Sequence, residues 1–371
     1  MGPSPRKMRR NSNVLSFFYT LFFFYTLFGP FHASCRILRM ASSFYRLPVD
    51  VILITMDYLD PHDLLHLLQA VPYLTPFLTS RHLRAQDENG DTILHLIVEQ
   101  GIEDMIKPLA RIIPGNSIAN NAKLTPLHQA VINVNQTMTR FLVDAGSDVS
   151  ARGPDGYTAL HYACKSKYPS SCDHIYNHGR LEILRILIDS GADLNAQTDS
   201  QKFTPIFCAT FFLENDCIKP LLDAGADPLI PYWNGQTILV KAASFNNIGV
   251  MRMLLDAGMD VSGRGYQSLT PLMAAASYES DEAFDLLLKE GADPLMLSHD
   301  GISALHWAAR RVNERFVRLL LEAGADVSVG DDFGGRTPLD WAIIGGKATE
   351  KDIKEVVKML KEAEDSSRTP L

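Results

Sequence analysis

Apolar and small residues recur along most of the chain in a fixed order, interrupted by polar turns. Each unit opens with Thr or Ser, often followed by Pro and then by Leu and Ala, and most units carry Gly-Ala-Asp or a close variant 21 residues later. The openings are separated by 33, 33, 46, 33, 33, 33 and 34 residues, and they number repeats one to eight: Thr92, Thr125, Thr158, Thr204, Thr237, Thr270, Ser303 and Thr337. This period predicts an array of stacked supersecondary units without one central core.

Within each repeat the residue types predict two short helices joined by a turn. The opening Thr or Ser can cap the first helix, Pro suits its first turn, and Leu and Ala allow close stacking. A glycine can end the second helix in a left-handed conformation. This is expected at Gly146, Gly191, Gly225, Gly258, Gly291 and Gly324.

The openings and the period resemble those of the ankyrin repeat family over residues 87–364. The resemblance implies an all-α repeat fold, an ankyrin solenoid of about eight helix-turn-helix repeats with β-hairpin tips. The third repeat carries an insertion near residues 166–178. A final amphipathic helix is expected to cover the last repeat, followed by a disordered tail at residues 365–371.

A separate helical module is predicted at residues 41–85, where two apolar stripes flank the Asp60-Pro61 pair. The first stripe comprises Val49, Ile52, Leu53 and Met56, and the second comprises Leu64, Leu67, Leu68 and Val71. Both have helical spacing. Such a short hairpin buries little surface alone, so it must dock on the array, on another protein or on both. One hypothesis is that it only caps the first repeat.

The same module resembles the F-box, and an F-box before ankyrin repeats resembles fungal proteins of that architecture. The resemblance implies that the helices bind the Skp-type adaptor of a cullin-RING (SCF-type) ubiquitin ligase, while the repeats recruit its substrate. The expected adaptor-binding residues are Leu47, Pro48, Ile54, Tyr58, Leu59, Leu64, Leu67 and Leu68. The alternative function is a ligase-independent ankyrin scaffold or regulatory binding protein.

Residues 1–40 carry a different pattern, in which basic residues precede an apolar, aromatic-rich stretch at residues 14–31. That order is typical of a signal peptide or a short membrane anchor, although a spanning helix usually needs about 20 residues. A start site assigned too early is the third interpretation, since Met40 directly precedes the helical module. The repeats favour a cytoplasmic or nuclear location, whereas a real anchor would make the protein membrane-associated.

Composition argues against several function classes. The formal net charge is -8 and no long Lys/Arg run occurs, which argues against a nucleic-acid partner. The five scattered cysteines favour a reducing compartment. Cys172, His174 and His178 could join His161 and Cys164 in a zinc site, but the last two occupy packing positions, so no metal or other cofactor is expected. The sequence contains no common catalytic or nucleotide-binding motif, and no enzyme is predicted.

The repeat register separates structural positions from variable ones. With the opening residue as position zero, position -4 lies near the hairpin tip, and positions +4 and +8 share one face of the first helix, the concave face in ankyrin proteins. In repeats four to eight these positions are rich in rings and include all three Trp residues. Aromatic and Arg side chains often anchor interfaces, so a concave aromatic surface should recognise a peptide or folded protein, with Arg310 and Arg311 selecting an acidic group. The expected partner-binding residues are Phe212, Trp233, Phe245, Tyr266, Tyr278, Trp307, Arg310, Arg311, Phe333 and Trp341.

Overall fold

The computed structural model describes residues 56–105, 109, 117–165, 174–345 and 350–368, with backbone alone at 174–177, 367 and 368. The chain divides into two compact units. The first comprises Met1–Pro154 and His178–Gly191, and the second comprises Asp155–Asn177 and Ala192–Leu371. Each unit is built from short helices joined by turns.

The first helix of every repeat begins directly after its opening Thr or Ser, as the spacing predicts. In chain order the described α-helices are α1 (Pro61–Ala70), α2 (Ser80–Arg84), α3 (Ile93–Gln100), α4 (Pro126–Ile132), α5 (Gln136–Asp144), α6 (Ala159–Ala163), α7 (His174–Asp189), α8 (Pro205–Phe211), α9 (Ile218–Asp223), α10 (Ile238–Ser244), α11 (Ile248–Asp256), α12 (Pro271–Tyr278), α13 (Asp281–Lys289), α14 (Ala304–Arg310), α15 (Glu314–Glu322), α16 (Pro338–Ile344) and α17 (Glu350–Arg368). Short 3₁₀ helices lie at Pro72–Phe77, Glu103–Met105, Pro154–Gly156, Asn215–Cys217 and Tyr266–Ser268.

The ends of these helices confirm the predicted roles of Thr, Ser and Gly. In six repeats the opening hydroxyl accepts a hydrogen bond from the amide three residues later, which satisfies one of the unpaired N–H groups of the helix start. The six glycines predicted to end second helices have φ angles between 78° and 96°. A side chain is strained in that left-handed region, which explains the choice of glycine there.

A histidine three residues after the opening residue links four of the repeats to the chain that follows. The Nδ1 atom of His95 accepts the Thr92 amide hydrogen at 3.1 Å, and its Nε2 atom lies 2.9 Å from the carbonyl oxygen of Leu124. Since Nδ1 accepts from an amide, Nε2 carries the proton and donates to the carbonyl. The same arrangement, at 2.9 to 3.1 Å from the carbonyl oxygen, recurs at His128, His161 and His306.

The tips between repeats are hydrogen-bonded turns, and the described residues contain no β-strand at the predicted β-hairpin tips. The Tyr232 amide donates to the carbonyl of Gln236 and closes one such turn, while the Trp233 amide donates to the carbonyl of Gln201 in the preceding turn. The turns therefore form a backbone ladder along the second unit. Within the described ranges the one isolated β-bridge pairs Gln86 with Thr92.

In the first unit, α1 packs against the first helix of repeat one, α3. The side chains of Leu64, Leu67 and Leu68 are at most 1% exposed, so this packing takes up three of the residues expected to bind an adaptor. Tyr58 is 74% exposed and Leu59 is half-buried. The expected positions Leu47, Pro48 and Ile54 lie outside the described residues.

In the second unit, the first helices α6, α8, α10, α12, α14 and α16 pack against one another in a row, and α9, α11 and α13 pack in a second row. The final helix α17 packs on α15 and α16, with Val356 and Leu360 buried, as predicted for a helix that covers the last repeat. It continues to Arg368, so residues 365–368 of the segment expected as a disordered tail are helical.

Candidate protein interface

Positions +4, +7 and +8 of the first helices are about one turn apart and lie on one side of each helix. Because these helices stack in the second unit, the positions follow one side of the helix row, which we call the first-helix face; Cys208 and Ala274 on it are buried. Its described residues are Tyr162, Lys165, Cys208, Phe211, Phe212, Lys241, Ser244, Phe245, Ala274, Ser277, Tyr278, Trp307, Arg310, Arg311, Trp341, Ile344 and Gly345. None of them is acidic.

Large aromatic rings are exposed on this face and on the turns beside it. On the face, Phe211 and Phe245 are exposed and their ring centroids lie 6.3 Å apart, while Tyr278 is 65% exposed. On the turns, Trp233 is 66% exposed and Phe333 is 65% exposed. A cluster of large exposed apolar side chains is typical of an interaction surface.

Two lysines on the face each lie over two aromatic rings. The Nζ atom of Lys241 is 5.0 Å from the ring centroid of Phe211 and 4.2 Å from that of Phe245. The Nζ atom of Lys165 is 4.9 Å from the Tyr157 centroid and 5.3 Å from the Phe212 centroid. These are cation–π distances. Burial lowers the pKa of Lys241, because removing water disfavours the charged ammonium.

Arg310 occupies the corresponding place over two tryptophans. The rings of Trp307 and Trp341 meet edge to face with centroids 5.4 Å apart, and the guanidinium carbon of Arg310 lies 5.7 Å and 5.4 Å from them. The Trp307 indole N–H is buried and has no hydrogen-bond acceptor among the described residues. An unsatisfied buried donor costs stability and is rare in folded proteins.

A cleft of about 580 Å³ adjoins the tryptophan pair, between the turns and the first helices of the second unit. Its wall includes the two cations Arg310 and Arg336, the carboxylate of Asp300 and five aromatic rings, which are those of Tyr232, Tyr266, Trp307, Phe333 and Trp341. A concave surface that combines rings with polar groups can receive a side chain of a binding partner.

The structure changes the expected role of two site residues. Trp341 is 7% exposed and its Nε1–H donates to Asp331 at 2.8 Å, so it supports the cleft from below. The Arg311 Nε–H donates to the Ser277 carbonyl at 2.8 Å and lies 3.7 Å from a Glu279 carboxylate oxygen. Arg311 is therefore already paired within the chain, and Arg310 is the better candidate for an acidic group.

The sequence analysis missed four residues of the surface: Lys165, Phe211, Tyr232 and Lys241. Lys165 and Phe211 occupy position +7, which shares the helix face with +4 and +8 and was not considered. Lys241 does occupy position +4, but its charge gave no indication that rings would surround it. Position +7 of the same helical face is the signal that could have found Lys165 and Phe211.

In repeat three, the described cysteine and histidine side chains are not arranged as ligands of one metal ion. In the neighbouring repeat four, burial raises the pKa of the Cys208 thiol to about 12, which favours its protonated form. Both ring nitrogens of His161 are in hydrogen bonds, to Thr158 and to the Phe203 carbonyl. No group of His, Cys, Asp or Glu within the described part could hold a metal ion, and the side chains of Cys172 and His174 lie outside it.

The apolar N-terminal stretch at residues 14–31 also lies outside the described residues. Among the helices that are described, none is both long and apolar enough to cross a membrane.

The chain is similar to known proteins in both sequence and structure. A family model for ankyrin repeats in three copies matches residues 66–153, 109–179, 154–232, 215–297 and 272–369. B-cell lymphoma 3 protein of Homo sapiens is 29% identical over 172 residues, which cover 44% of this chain and 35% of that protein. NF-kappa-B inhibitor alpha of Sus scrofa is 29% identical over 141 residues, which cover 30% of this chain and 45% of that protein. The matches therefore span less than half of these relatives.

The crystal structure of the human ASB11 ankyrin repeat domain superposes with a TM-score of 0.51 at 23% identity, and covers 67% of this chain and 99% of that domain. At this identity the likeness concerns the fold alone. The comparisons support the ankyrin part of the resemblance and give no support to its F-box or fungal part. The family model matches most of the length of this chain, and the stacked helix pairs, the repeated Thr or Ser caps and the left-handed glycines agree with it. This chain therefore belongs to the ankyrin repeat family.

Proposed function

We propose that the protein is a non-enzymatic binding protein that holds a protein partner on the first-helix face and the adjoining turns of repeats four to eight. Ankyrin repeats in general act as scaffolds that bind other proteins, and the family alone does not indicate where on the array a partner binds. The observation that carries the location is the group of exposed rings, led by Trp233, Tyr278 and Phe333.

The physical reason is that exposed rings gain most from a partner. Each ring buries a large apolar area with few rotatable bonds, so association removes apolar surface from water at a small cost in side-chain entropy. Such residues are over-represented among those that dominate binding energy. The turn ladder holds the Trp233 backbone in place, and the packed first helices hold Tyr278, which keeps the surface ordered before binding.

The experiment retrieves partners with the tagged full-length chain, identifies them by mass spectrometry, and then measures the affinity of a purified partner. The triple variant Trp233→Ser, Tyr278→Ser, Phe333→Ser should bind about tenfold more weakly or worse, because three exposed anchors are lost. The matched control is Leu229→Ser, Leu295→Ser, which removes exposed apolar side chains from turns off the face. Equal loss in both variants would contradict the proposed location.

A substrate-adaptor role in an SCF-type ubiquitin ligase is the second candidate. Its supporting observation is a group of exposed rings around α1, formed by Tyr58, Tyr73 and Phe77. These rings, together with the undescribed Leu47, Pro48 and Ile54, would bind the Skp-type adaptor. The alternative is a ligase-independent regulator that masks its partner, a role in keeping with relatives named NF-kappa-B inhibitor. Either role places the protein in the cytoplasm or nucleus, with membrane contact only if residues 14–31 form an anchor.

A further inference from the structure

Three cations on the first-helix face are each positioned over two aromatic rings. They are Lys165 in repeat three, Lys241 in repeat five and Arg310 in repeat seven. The second ring under each cation is Phe212, Phe245 and Trp341 respectively. The same arrangement of one cation over two rings thus recurs in alternate repeats of the second unit.

No carboxylate lies within ion-pair distance of these three cations among the described residues. Arg315 provides the contrast, because it lies over the single ring of Phe316 and also pairs with Asp281 and Asp285. The first-helix face contains no acidic residue, although the whole chain has a formal net charge of -8. The positions that define the face therefore carry no carboxylate of their own, and the neighbouring Glu279 pairs with Arg311.

A cation held over two rings has lost hydration on the side that faces them, while Lys165 and Arg310 stay exposed on the other side and Lys241 is half-buried. An incoming carboxylate then displaces water only from the open side of each cation, and the less polar surroundings strengthen its attraction most at the half-buried Lys241. The rings also fix the cation in place, which lowers the entropy cost of pairing. A neutral or basic partner would cover three positive charges without supplying a counter-ion.

We propose that the first-helix face receives an extended protein segment rich in Asp and Glu, whose carboxylates pair with Lys165, Lys241 and Arg310 while its apolar side chains contact the rings between them. This inference rests on the proposed function and names the chemistry of the partner. The three cations held over rings recognise the carboxylates, whereas Arg311 is already paired within the chain and does not take part.

The test measures fluorescence anisotropy of labelled peptides of about 16 residues, which span roughly 50 Å when extended. Four peptides alternate Leu, Ser and Gly with Glu, Gln, Lys or phosphoserine. The full-length chain should bind the Glu peptide at least about tenfold more tightly than the Gln peptide, and added NaCl should reduce this preference. Salt dependence needs no variant, so it tests the inference even where a substitution disturbs folding.

The variant arm replaces the three cations in Lys165→Met, Lys241→Met, Arg310→Met, which should abolish the preference for Glu. The control Lys219→Met, Arg252→Met, Lys289→Met removes the same charge from exposed positions on the second helices α9, α11 and α13 and should keep it. Far-ultraviolet circular dichroism checks the fold of both.

The inference is overturned if Glu and Gln peptides bind equally, if the Lys peptide binds most tightly, if phosphoserine alone is bound, or if both triple variants lose the preference equally. A retrieved partner that depends on the rings, combined with no preference for Glu, would leave the proposed function standing and refute only this inference.

Discussion

At the scale of single residues, the histidine three positions after the opening Thr or Ser stabilises the repeat and also sets a pH dependence. In repeat one, the His95 ring accepts the amide hydrogen of the opening Thr92 and donates to the carbonyl oxygen of Leu124 farther along the chain. One side chain thus supplies hydrogen-bond partners to two backbone groups. In the last repeat Asp340 takes the first of these roles, since its carboxylate accepts the Thr337 amide at 2.8 Å.

Replacing His95 with Ala should lower the free energy of unfolding by about 1–3 kcal/mol at pH 7.5, because a buried amide and a buried carbonyl lose their partner. Urea unfolding followed by circular dichroism measures it. The control is His299→Ala, whose ring is exposed and which should change stability by less than about 0.5 kcal/mol. Equal stability of the His95→Ala chain and the native chain would show that the bridge contributes nothing.

The same histidines predict that stability falls in mild acid. Burial lowers the pKa of His95 and His306 in the folded chain below the ordinary value of 6.5, against the opposing effect of the carbonyl hydrogen bonds. The unfolded chain therefore binds more protons as the pH falls below about 6.5, and the contribution of the neutral rings is lost progressively in that direction. The His95→Ala chain should show a shallower dependence between pH 7.5 and 5.5.

The sequence predicted the residue roles that recur in every repeat and missed those that depend on contacts of a single repeat. The cap, glycine and packing-histidine roles follow from the chain's own register, so the structure confirms them. Trp341 and Trp307 occupy the same register position, yet only Trp341 is held by Asp331, a contact that the repeat pattern does not encode. The pairing of Arg311 with Glu279 was hidden for the same reason.

At the scale of elements, α1 belongs to the core of the first unit and covers repeat one. The apolar spacing predicted that α1 is one of two helices in this module. Spacing alone does not indicate whether an apolar stripe packs against the same chain or against another protein. The packing of α1 on α3 decides this for Leu64, Leu67 and Leu68, which leaves the rings around α1 as the available surface.

Two substitutions near α1 separate the capping role from an adaptor role. Leu67→Ala should lower the free energy of unfolding by about 2–5 kcal/mol, because it leaves a cavity in the core. Tyr58→Ser should leave stability within about 0.5 kcal/mol, since the ring is exposed. Copurification of a Skp-type adaptor with the native chain, and its loss with Tyr58→Ser, would support the ligase role. Absence of any adaptor from a chain that still binds its target would favour the ligase-independent regulator.

At the scale of the whole molecule, one acidic chain carries a cationic and aromatic surface on one side of its second unit. The repeat period predicted the series of helix pairs, and the variable slots predicted that repeats four to eight carry the rings. The ordering of cations over rings in alternate repeats could not be predicted, since it depends on how helices from neighbouring repeats approach each other. The uniform scaffold is thereby combined with a localised binding chemistry.

The most direct test of the central claim is site-specific photo-crosslinking of the retrieved partner. A photoreactive phenylalanine analogue replaces Tyr278, on the first-helix face, or Leu295, on a turn after α13; both positions are exposed, so neither substitution should disturb folding. The account predicts that the partner crosslinks efficiently at position 278 and little at position 295. Efficient crosslinking at 295 with none at 278 would contradict it.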